Sequence, residues 1–321
     1  MNNVIGFTIG DIDGIGIEIL IKFIKNNNYK KIILISNILL LQKFIRKNNI
    51  NIKIIKISKN YLLNKNQLTK NILYVYDIKA KNNIDNTYNS LKVSYKLAKQ
   101  KLIRGIVTLP LNKEKIIKKI DKNFIGQTEF FQIMDKKKYV NMVFIHKKLI
   151  IVTLTTHVPL SKIFSLLSNK KIIFEKIKSL FNTLKEDLDI SNPNIAISGI
   201  NPHAGENSTI GKEEIKYLMP VIKEINLNKL ILKGPFPADS ILSTKNIKLF
   251  SAFIFTYHDQ ALIPFKLLSK NLGVNYTSGL DIIRVSPDHG TAYDIVGKNI
   301  VKDNNIIKCI NLIEKISKNR K

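Results

Sequence analysis

The chain has 321 residues, a hydrophobic fraction of 45% and a formal net charge of +28. That length and hydrophobic content allow two domains of ordinary size or one large α/β domain, and they exclude global disorder. The single cysteine, Cys309, excludes an internal disulfide and indicates a reducing compartment. Because no secretory signal pattern and no apolar stretch of membrane-spanning length occurs, we expect a soluble cytoplasmic protein without a membrane partner.

The positive charge is a property of the whole chain and not of one segment. It comes almost entirely from lysine, since arginine occurs only at positions 46, 104, 284 and 320. The lysines accompany abundant Asn and Ile, a composition that AT-rich coding sequence tends to produce. We therefore expect no nucleic-acid partner, and a basic nucleic-acid-binding protein is kept as the alternative of another class.

Strand-like and helix-like patterns alternate along the chain, which predicts an α/β fold with mixed sheets. Strands are predicted at residues 4–8, 31–36, 52–57, 73–76, 105–109, 142–145, 149–155, 194–198, 230–232, 252–256, 272–276 and 281–285. Helices are predicted at residues 17–24, 39–46, 87–103, 170–188, 212–225 and 305–317. A further helix is predicted to begin near residue 126, with Thr128 as its capping residue. Residues 58–71, rich in Lys and Asn, are predicted to be irregular.

Three of the five histidines follow apolar strands. His157, His203 and His258 each lie just past the carboxyl end of a separate predicted strand. Such strand ends face one crevice in open α/β sheets, so the three imidazoles could meet there and bind a divalent metal, with Asp239 and Asp259 nearby. The alternative interpretation is three unrelated loop histidines, because their separations match no short metal-binding motif.

Cationic and amide side chains form a second candidate group in the last third of the chain. Lys266, Asn275 and Arg284 follow the third strand-end histidine in sequence. A lysine and an arginine beside a metal would suit a substrate that carries phosphate or carboxylate. Arg284 is the strongest of these candidates, since arginine is rare in this chain and this one lies in the apolar run 282–285.

Several motifs resemble those of the 4-hydroxythreonine-4-phosphate dehydrogenase family, NAD-dependent enzymes of pyridoxal phosphate biosynthesis. The most specific are Asn-Pro-His-Ala-Gly-Glu at residues 201–206 and Tyr-His-Asp-Gln at 257–260. The matching segments run in order along almost the whole chain, at residues 8–18, 110–114, 126–129, 155–160, 199–211, 234–239, 257–266 and 280–297. Residues 288–297 also resemble the cofactor loop of isocitrate and isopropylmalate dehydrogenases.

The resemblance implies two α/β/α domains with the site in the interdomain cleft, as in the isocitrate and isopropylmalate dehydrogenases, and a homodimer. The first domain would comprise approximately residues 1–125 plus 286–321, and the second approximately 126–285. The implied metal ligands are His157, His203 and His258, with one of them supplied across the dimer interface. Zinc is the expected metal, and magnesium and cobalt are its alternatives.

The resemblance also assigns the other site residues. It implies a phosphorylated substrate contacted by the side chains of Gln127, Thr128, Lys266, Asn275 and Arg284. The cofactor, NAD or NADP, would lie against Gly290, Thr291, Ala292 and Asp294.

The implied reaction is the oxidation of 4-(phosphooxy)-L-threonine to 2-amino-3-oxo-4-(phosphooxy)butanoate. That product would lose carbon dioxide to give 3-amino-2-oxopropyl phosphate, in pyridoxine 5'-phosphate biosynthesis. The substrate hydroxyl, made acidic by the metal, would lose its proton to Lys266 or to Asp259. The sequence leaves both of these residues as candidate catalytic bases.

Gln127 departs from the family pattern, which usually has His in the corresponding Gly-His-Thr-Glu motif. A glutamine can hydrogen-bond a substrate, but its amide does not become protonated to a cation as an imidazole does. A sister dehydrogenase that acts on 4-phospho-threonate or 4-phospho-erythronate would use the same chemistry, and it stays an alternative to the phosphothreonine enzyme.

Overall fold

The computed structural model describes residues 4–29, 31–63, 68–298 and 303–320. Contacts divide the chain into two compact units, which are Met1–Lys136 with Leu280–Ser317, and Lys137–Gly279 with Lys318–Lys321. The predicted α/β class is confirmed, because strands and helices alternate in both units. The first unit includes residues 126–136 and 280–285, which the sequence analysis assigned to the second domain. Within the described residues, no helix is both long and apolar enough to cross a membrane.

Twelve strands and twelve α-helices lie within the described residues. The strands are β1 Ile5–Thr8, β2 Ile32–Ser36, β3 Lys53–Ile57, β4 Ile72–Asp77, β5 Gly105–Thr108, β6 Asn141–His146, β7 Leu149–Thr153, β8 Asn194–Ser198, β9 Ile231–Phe236, β10 Ala252–Phe255, β11 Val274–Ser278 and β12 Arg284–Pro287. The α-helices are α1 Ile15–Asn26, α2 Ile38–Lys47, α3 Lys59–Leu63, α4 Asn83–Lys99, α5 Lys113–Lys119, α6 Gln127–Met134, α7 Ile163–Leu167, α8 Lys170–Asn182, α9 Met219–Leu227, α10 Thr244–Leu249, α11 His258–Ser269 and α12 Asn304–Asn319. Short 3₁₀ turns occur at Leu160–Lys162, Pro202–Ser208 and Tyr293–Ile295, and π-helical turns at Thr183–Asp187 and Glu214–Leu218.

Each unit has its own arrangement of strands. In the first unit all six strands are parallel, in the order β3–β4–β2–β1–β5–β12. In the second unit the order is β11–β6–β7–β10–β8–β9. There, β6 is antiparallel to β11 and β7, and the remaining pairs are parallel. Every residue of β1, β2, β5 and β10 is buried, which explains why these strands read as unbroken apolar runs.

Three local predictions differ from the structure. Thr128 is not a cap, because α6 begins at Gln127 after Gly126 and has no side-chain cap. The segment 58–71 is not wholly irregular, since α3 forms within it, while residues 64–67 lie outside the described part of the chain. The helix predicted at 212–225 begins as a π-helical turn over Glu214–Leu218 before it becomes α9.

Arg320, near the end of the chain, pairs with the buried carboxylate of Asp187 in the second unit. The side chain of Asp187 is 5% exposed, and Arg320 Nε donates a hydrogen bond to its Oδ1 at 2.5 Å. The Tyr276 hydroxyl donates to Asp187 Oδ2 at 2.5 Å, and Arg320 Nη2 donates to the same oxygen at 3.0 Å. Burial raises the pKa of Tyr276 well above its ordinary value, so the phenol remains a donor.

Replacing Arg320 with alanine is therefore expected to lower the free energy of unfolding by about 3 kcal/mol, because it leaves a buried carboxylate without its cation. Urea unfolding followed by circular dichroism measures the change. Lys318→Ala, which removes an exposed cation two residues earlier, is the matched control and should unfold like the wild type. Equal unfolding midpoints for Arg320→Ala and Lys318→Ala would show that the Asp187 contact does not stabilise this unit.

Candidate active site

Neighbouring parallel strands of the second unit bring the histidine loops to one edge of its sheet. β10 pairs in parallel with β7 on one side and with β8 on the other. Parallel neighbours end at the same edge, so the loops that carry His157, His203 and His258 all begin there. The ring centroids of His157 and His258 lie 5.6 Å apart. The fold thus brings together two histidines that are 101 positions apart in the sequence.

Asp259 contacts the histidine beside it. Its Oδ1 lies 2.7 Å from Nδ1 of His258, at the first turn of α11. When Nδ1 carries the proton of this hydrogen bond, Nε2 is left with a lone pair that can bind a metal. Metal-binding histidines are commonly oriented by a carboxylate in this way.

The imidazole nitrogens of His157 and His258 are suitable ligands for a divalent metal. Imidazole nitrogens bind zinc at about 2.0–2.1 Å, and the 5.6 Å between the ring centroids lets both rings reach one ion. Imidazole also suits copper, iron and nickel, so the donor type alone does not select the element. Among the described residues of this single chain, no group of three His, Cys, Asp or Glu side chains could hold a metal ion. His203 therefore does not complete a three-ligand group with His157 and His258 here.

Gln260 links two of the histidine loops. Its Oε1 accepts hydrogen bonds from Ser198 Oγ at 2.9 Å and from the backbone N–H of Thr256 at 3.0 Å. Its Nε2 donates to the carbonyl oxygen of Gly199 at 2.9 Å. This one amide thus joins the end of β8, which leads to His203, to the turn that carries His258. Gln260 belongs to the motif at residues 257–260, which did not by itself indicate this role.

The loop that carries His203 has a rare backbone conformation. Six consecutive residues have positive φ, with values of 51°, 53°, 80°, 40°, 55° and 76° for residues 203–208, and five of them are not glycine. Each residue that is not glycine costs roughly 1–2 kcal/mol in the left-handed region. Such a run persists only where its surroundings dictate it, and it is a frequent feature of functional sites. Only Gly205 and Asn207 among the six residues are types that favour this region, so the sequence did not indicate a continuous left-handed run.

A buried cation lies in the first unit, at the start of β12. Arg284 is 2% exposed, and its Nε and Nη2 donate to Thr108 Oγ1 at 3.0 and 2.6 Å. Nη1 donates to Thr128 Oγ1 at 3.4 Å, and Nη2 also donates to Gln127 Oε1. Burial lowers the pKa of Arg284 to about 10, an effect that the Glu129 carboxylate opposes. The guanidinium is therefore still charged at neutral pH, and a buried cation among hydroxyl and amide groups attracts an anion.

Gln127 points toward this cluster. Its Oε1 accepts from Thr108 Oγ1 at 2.6 Å as well as from Arg284, and its Nε2 donates to the carbonyl oxygen of Leu109 at 3.0 Å. Three of the predicted substrate contacts, Gln127, Thr128 and Arg284, are thus in mutual contact. Thr108 was missed, although it is the last residue of β5 and the strand-end rule applied to the histidines would have selected it.

The other two predicted substrate contacts, Asn275 and Lys266, lie in the second unit. Asn275 is on β11, and its buried Oδ1 has no hydrogen-bond partner among the described residues. A buried acceptor without a donor costs about 1–3 kcal/mol, which a ligand N–H or O–H group would offset. Lys266 lies on α11, about two turns after His258, and its side chain is exposed.

The predicted cofactor loop packs on the first glycine-rich turn of its own unit. The carbonyl oxygen of Thr291 accepts from the N–H of Ile15 at 3.0 Å, and Tyr293 Oη donates to Asp11 Oδ2 at 2.6 Å. A Cβ atom at Gly14 would lie 3.0 Å from that Thr291 oxygen, which explains why glycine occurs there. Ala292 is left-handed with φ 43°.

The same loop leaves part of its surface open. A Cβ atom at Gly290 would meet nothing within 4 Å among the described residues, and Asp294 is exposed. A cavity of about 800 Å³ in the same unit is lined by Asp11 and by Val296, which follows the loop, and none of Gly290, Thr291, Ala292 and Asp294 lines it. Its wall also carries the basic side chains Lys43, Lys47, Lys81, Lys115 and Lys119.

Comparison with known proteins identifies the family. A family model described as pyridoxal phosphate biosynthetic protein PdxA matches residues 28–313. The chain belongs to this family. The resemblance inferred from the motifs at 201–206 and 257–260 is thereby confirmed.

Individual relatives agree with the family match. The 4-hydroxythreonine-4-phosphate dehydrogenase of Sulfurihydrogenibium sp. (strain YO3AOP1) is 38% identical over 216 residues. That stretch is 67% of this chain and 66% of the relative, so the match spans just under two thirds of the relative's length.

Solved structures cover more of the chain. The crystal structure of 4-hydroxythreonine-4-phosphate dehydrogenase from Klebsiella pneumoniae superimposes with a TM-score of 0.85 at 28% identity, over 99% of this chain and 98% of that one. The enzyme of the same name from Burkholderia phymatum gives a TM-score of 0.75 at 28% identity, over 99% and 98% of the two chains.

Proposed function

We propose that this protein is a 4-hydroxythreonine-4-phosphate dehydrogenase. It would oxidise 4-(phosphooxy)-L-threonine with NAD and a divalent metal, and the product would decarboxylate to 3-amino-2-oxopropyl phosphate. The observation that carries the proposal is the pairing of His157 with His258 at the ends of neighbouring parallel strands. The relatives named above support the choice of substrate.

His157, His203 and His258 would hold the metal, with zinc preferred over magnesium and cobalt because imidazole is a borderline-soft ligand. His157 and His258 supply two nitrogens from one chain, and the third histidine would come from the second subunit of a homodimer. A bound divalent ion would supply polarisation of the substrate oxygen, and a bound nicotinamide would supply the hydride acceptor. Asp259 would orient His258 through the Nδ1 hydrogen bond, which leaves Nε2 available as a ligand.

Arg284 would bind an anionic group of the substrate. Its charge at neutral pH and its fixed position among Thr108, Gln127 and Thr128 make it suited to phosphate or carboxylate. Gln127 supports the guanidinium through its Oε1 and has one N–H of its amide left for the substrate. Asn275 would receive a substrate donor at its buried Oδ1.

Lys266 is the stronger of the two candidates for removal of the hydroxyl proton. Asp259 Oδ1 is already hydrogen-bonded to His258, which reduces its capacity as an acceptor. Lys266 lies on the same helix and its side chain is exposed, so it can reach a substrate or a bridging water.

NAD, or NADP, would lie against Gly290, Thr291, Ala292 and Asp294. The open space above Gly290 lets a ligand approach the backbone closely. The cavity of about 800 Å³ that Val296 lines falls within the size range of small-molecule sites, and its lysines suit the phosphates of a dinucleotide.

A substrate panel with and without a chelator tests this proposal. We expect NAD reduction with 4-(phosphooxy)-L-threonine, its loss with EDTA and its recovery with added Zn²⁺ or Co²⁺. Faster turnover of 4-phospho-threonate or 4-phospho-erythronate would identify the sister activity instead. Turnover that EDTA does not affect would contradict the metal, and no turnover together with salt-sensitive DNA binding would favour the nucleic-acid alternative.

A further inference from the structure

The left-handed loop of His203 encloses one buried carboxylate. Glu214 is 3% exposed and begins the π-helical turn Glu214–Leu218. Its Oε1 accepts hydrogen bonds from the backbone N–H groups of Ile200 and Asn201, both at 2.7 Å. Its Oε2 accepts from Asn201 Nδ2 at 3.0 Å. All three of these bonds go to the residues that lead directly into His203.

Two glycines make room for this carboxylate. A Cβ atom at Gly205 would lie 2.6 Å from Glu214 Oε2, and one at Gly199 would lie 3.2 Å from Oε1. The loop therefore wraps closely around the Glu214 side chain on both sides. π-Helical turns are rare and often occur at functional sites, and this one starts at the residue that the loop encloses.

The neighbouring acid provides a contrast. Glu213 accepts a side-chain hydrogen bond from Asn201 Nδ2 at 2.7 Å, and its side chain is partly exposed. The backbone N–H groups of Ile200 and Asn201 donate to Glu214 and not to Glu213. Both carboxylates thus accept a hydrogen bond from the Asn201 side chain, and only Glu214 also accepts from the backbone N–H groups of Ile200 and Asn201.

We propose that Glu214 is the positioning residue of His203, because its carboxylate fixes the strained loop that presents the imidazole. Six residues with positive φ in succession need an external constraint, and the buried Glu214 carboxylate accepts hydrogen bonds from Ile200 and Asn201, which lead into that run. The inference rests on the proposed role of His203 as a metal ligand. It adds that metal affinity depends on a residue that does not itself contact the ion.

The test is Co²⁺ binding by the full-length protein, measured by isothermal titration calorimetry. Glu214→Gln keeps the size of the side chain but replaces one acceptor oxygen with an N–H₂ donor, and we expect Co²⁺ affinity to fall about 10- to 100-fold. The matched control is Glu213→Gln, which we expect to stay within about threefold of the wild type. If Glu214→Gln does not fold, Glu214→Asp replaces it, since the shorter acid keeps the charge and should give a smaller loss of the same kind.

A double-mutant cycle separates positioning from general destabilisation. If Glu214 acts through His203, then Glu214→Gln should cause no further loss of Co²⁺ affinity in a His203→Ala background. An equal loss in both backgrounds, or unchanged affinity in Glu214→Gln while His203→Ala is weakened, would overturn this inference alone. A wild-type protein without Co²⁺ binding, or a His203→Ala variant with undiminished affinity, would overturn the metal proposal and this inference with it.

Discussion

Replacing Arg284 with methionine is expected to lower kcat/KM for 4-(phosphooxy)-L-threonine by about 10- to 100-fold. Most of its guanidinium N–H groups already donate to Thr108, Gln127 and Thr128, so we expect one charge-assisted hydrogen bond to the substrate, worth about 1.5–3 kcal/mol. Each 1.4 kcal/mol is a factor of ten, so losing that bond accounts for this change. Arg284→Lys should recover little of the rate, because an ammonium cannot reproduce the planar fork that Thr108, Gln127 and Thr128 hold in place.

The stability of the same variant distinguishes function from folding. Burial disfavours the charged form of Arg284, as its lowered pKa of about 10 indicates, and methionine removes that penalty. The hydroxyl and amide oxygens around it lose a donor, which acts in the opposite direction. We therefore expect the free energy of unfolding to stay within about 2 kcal/mol of the wild type.

Arg46→Met, on the exposed face of α2, is the matched control and should change neither activity nor stability. Steady-state kinetics and urea unfolding measure both quantities. An Arg284→Met variant with wild-type KM and kcat would remove Arg284 from the proposed site.

Replacing His258 with alanine is expected to lower the metal-dependent rate by about 10³-fold or more. The polarisation that a bound metal supplies is worth several kcal/mol in the transition state, and His258 is one of the two imidazoles that approach each other here. The variant should also bind less Zn²⁺ after dialysis, which elemental analysis measures. Asp259→Asn should lower the metal-dependent rate less, by about 10- to 100-fold. It changes the hydrogen-bond partner of His258 Nδ1 but keeps the His258 imidazole as a ligand.

His146→Ala is the control for the histidine series. His146 lies at the turn between β6 and β7, where its Nδ1 is 3.2 Å from the carbonyl oxygen of Leu272. We expect its rate and metal content to match the wild type. Retention of full metal content and rate by His258→Ala would contradict the proposed metal site.

Much of the fold could be predicted because parallel strands are buried on both faces. β1, β2 and β10 are continuous apolar runs, and such runs are visible without knowledge of their partners. The hairpin of β6 and β7 was equally clear, since two apolar runs flank the polar turn at residues 146–148. Two of the predictions that differ, at Thr128 and at the start of the helix near 212, concern helix ends, which depend on tertiary contacts of single residues. The third is the short helix α3, which forms in a segment rich in Lys and Asn.

The candidate site could be predicted only in part. Arg284 was selected because an arginine within an apolar run is unusual, and the three histidines because they follow strands. Thr108 carried the same strand-end signal as the histidines and was overlooked, since it ends β5. Glu214 carried no such signal, because a glutamate that begins a helix is an ordinary residue until its partners are known.

The sequence alone determined the α/β class, the family and the residue types available for chemistry, because periodicity and motifs are local properties of the chain. Tertiary structure decided which residues act together, since hydrogen bonds and ring contacts join positions far apart in sequence. Thr108 and Arg284 are 176 positions apart, and Gln260 joins its own turn to a carbonyl 61 positions away. The left-handed loop around Glu214 is the clearest case, because its backbone is strained locally while a carboxylate from a later part of the chain accepts hydrogen bonds from the residues that lead into it.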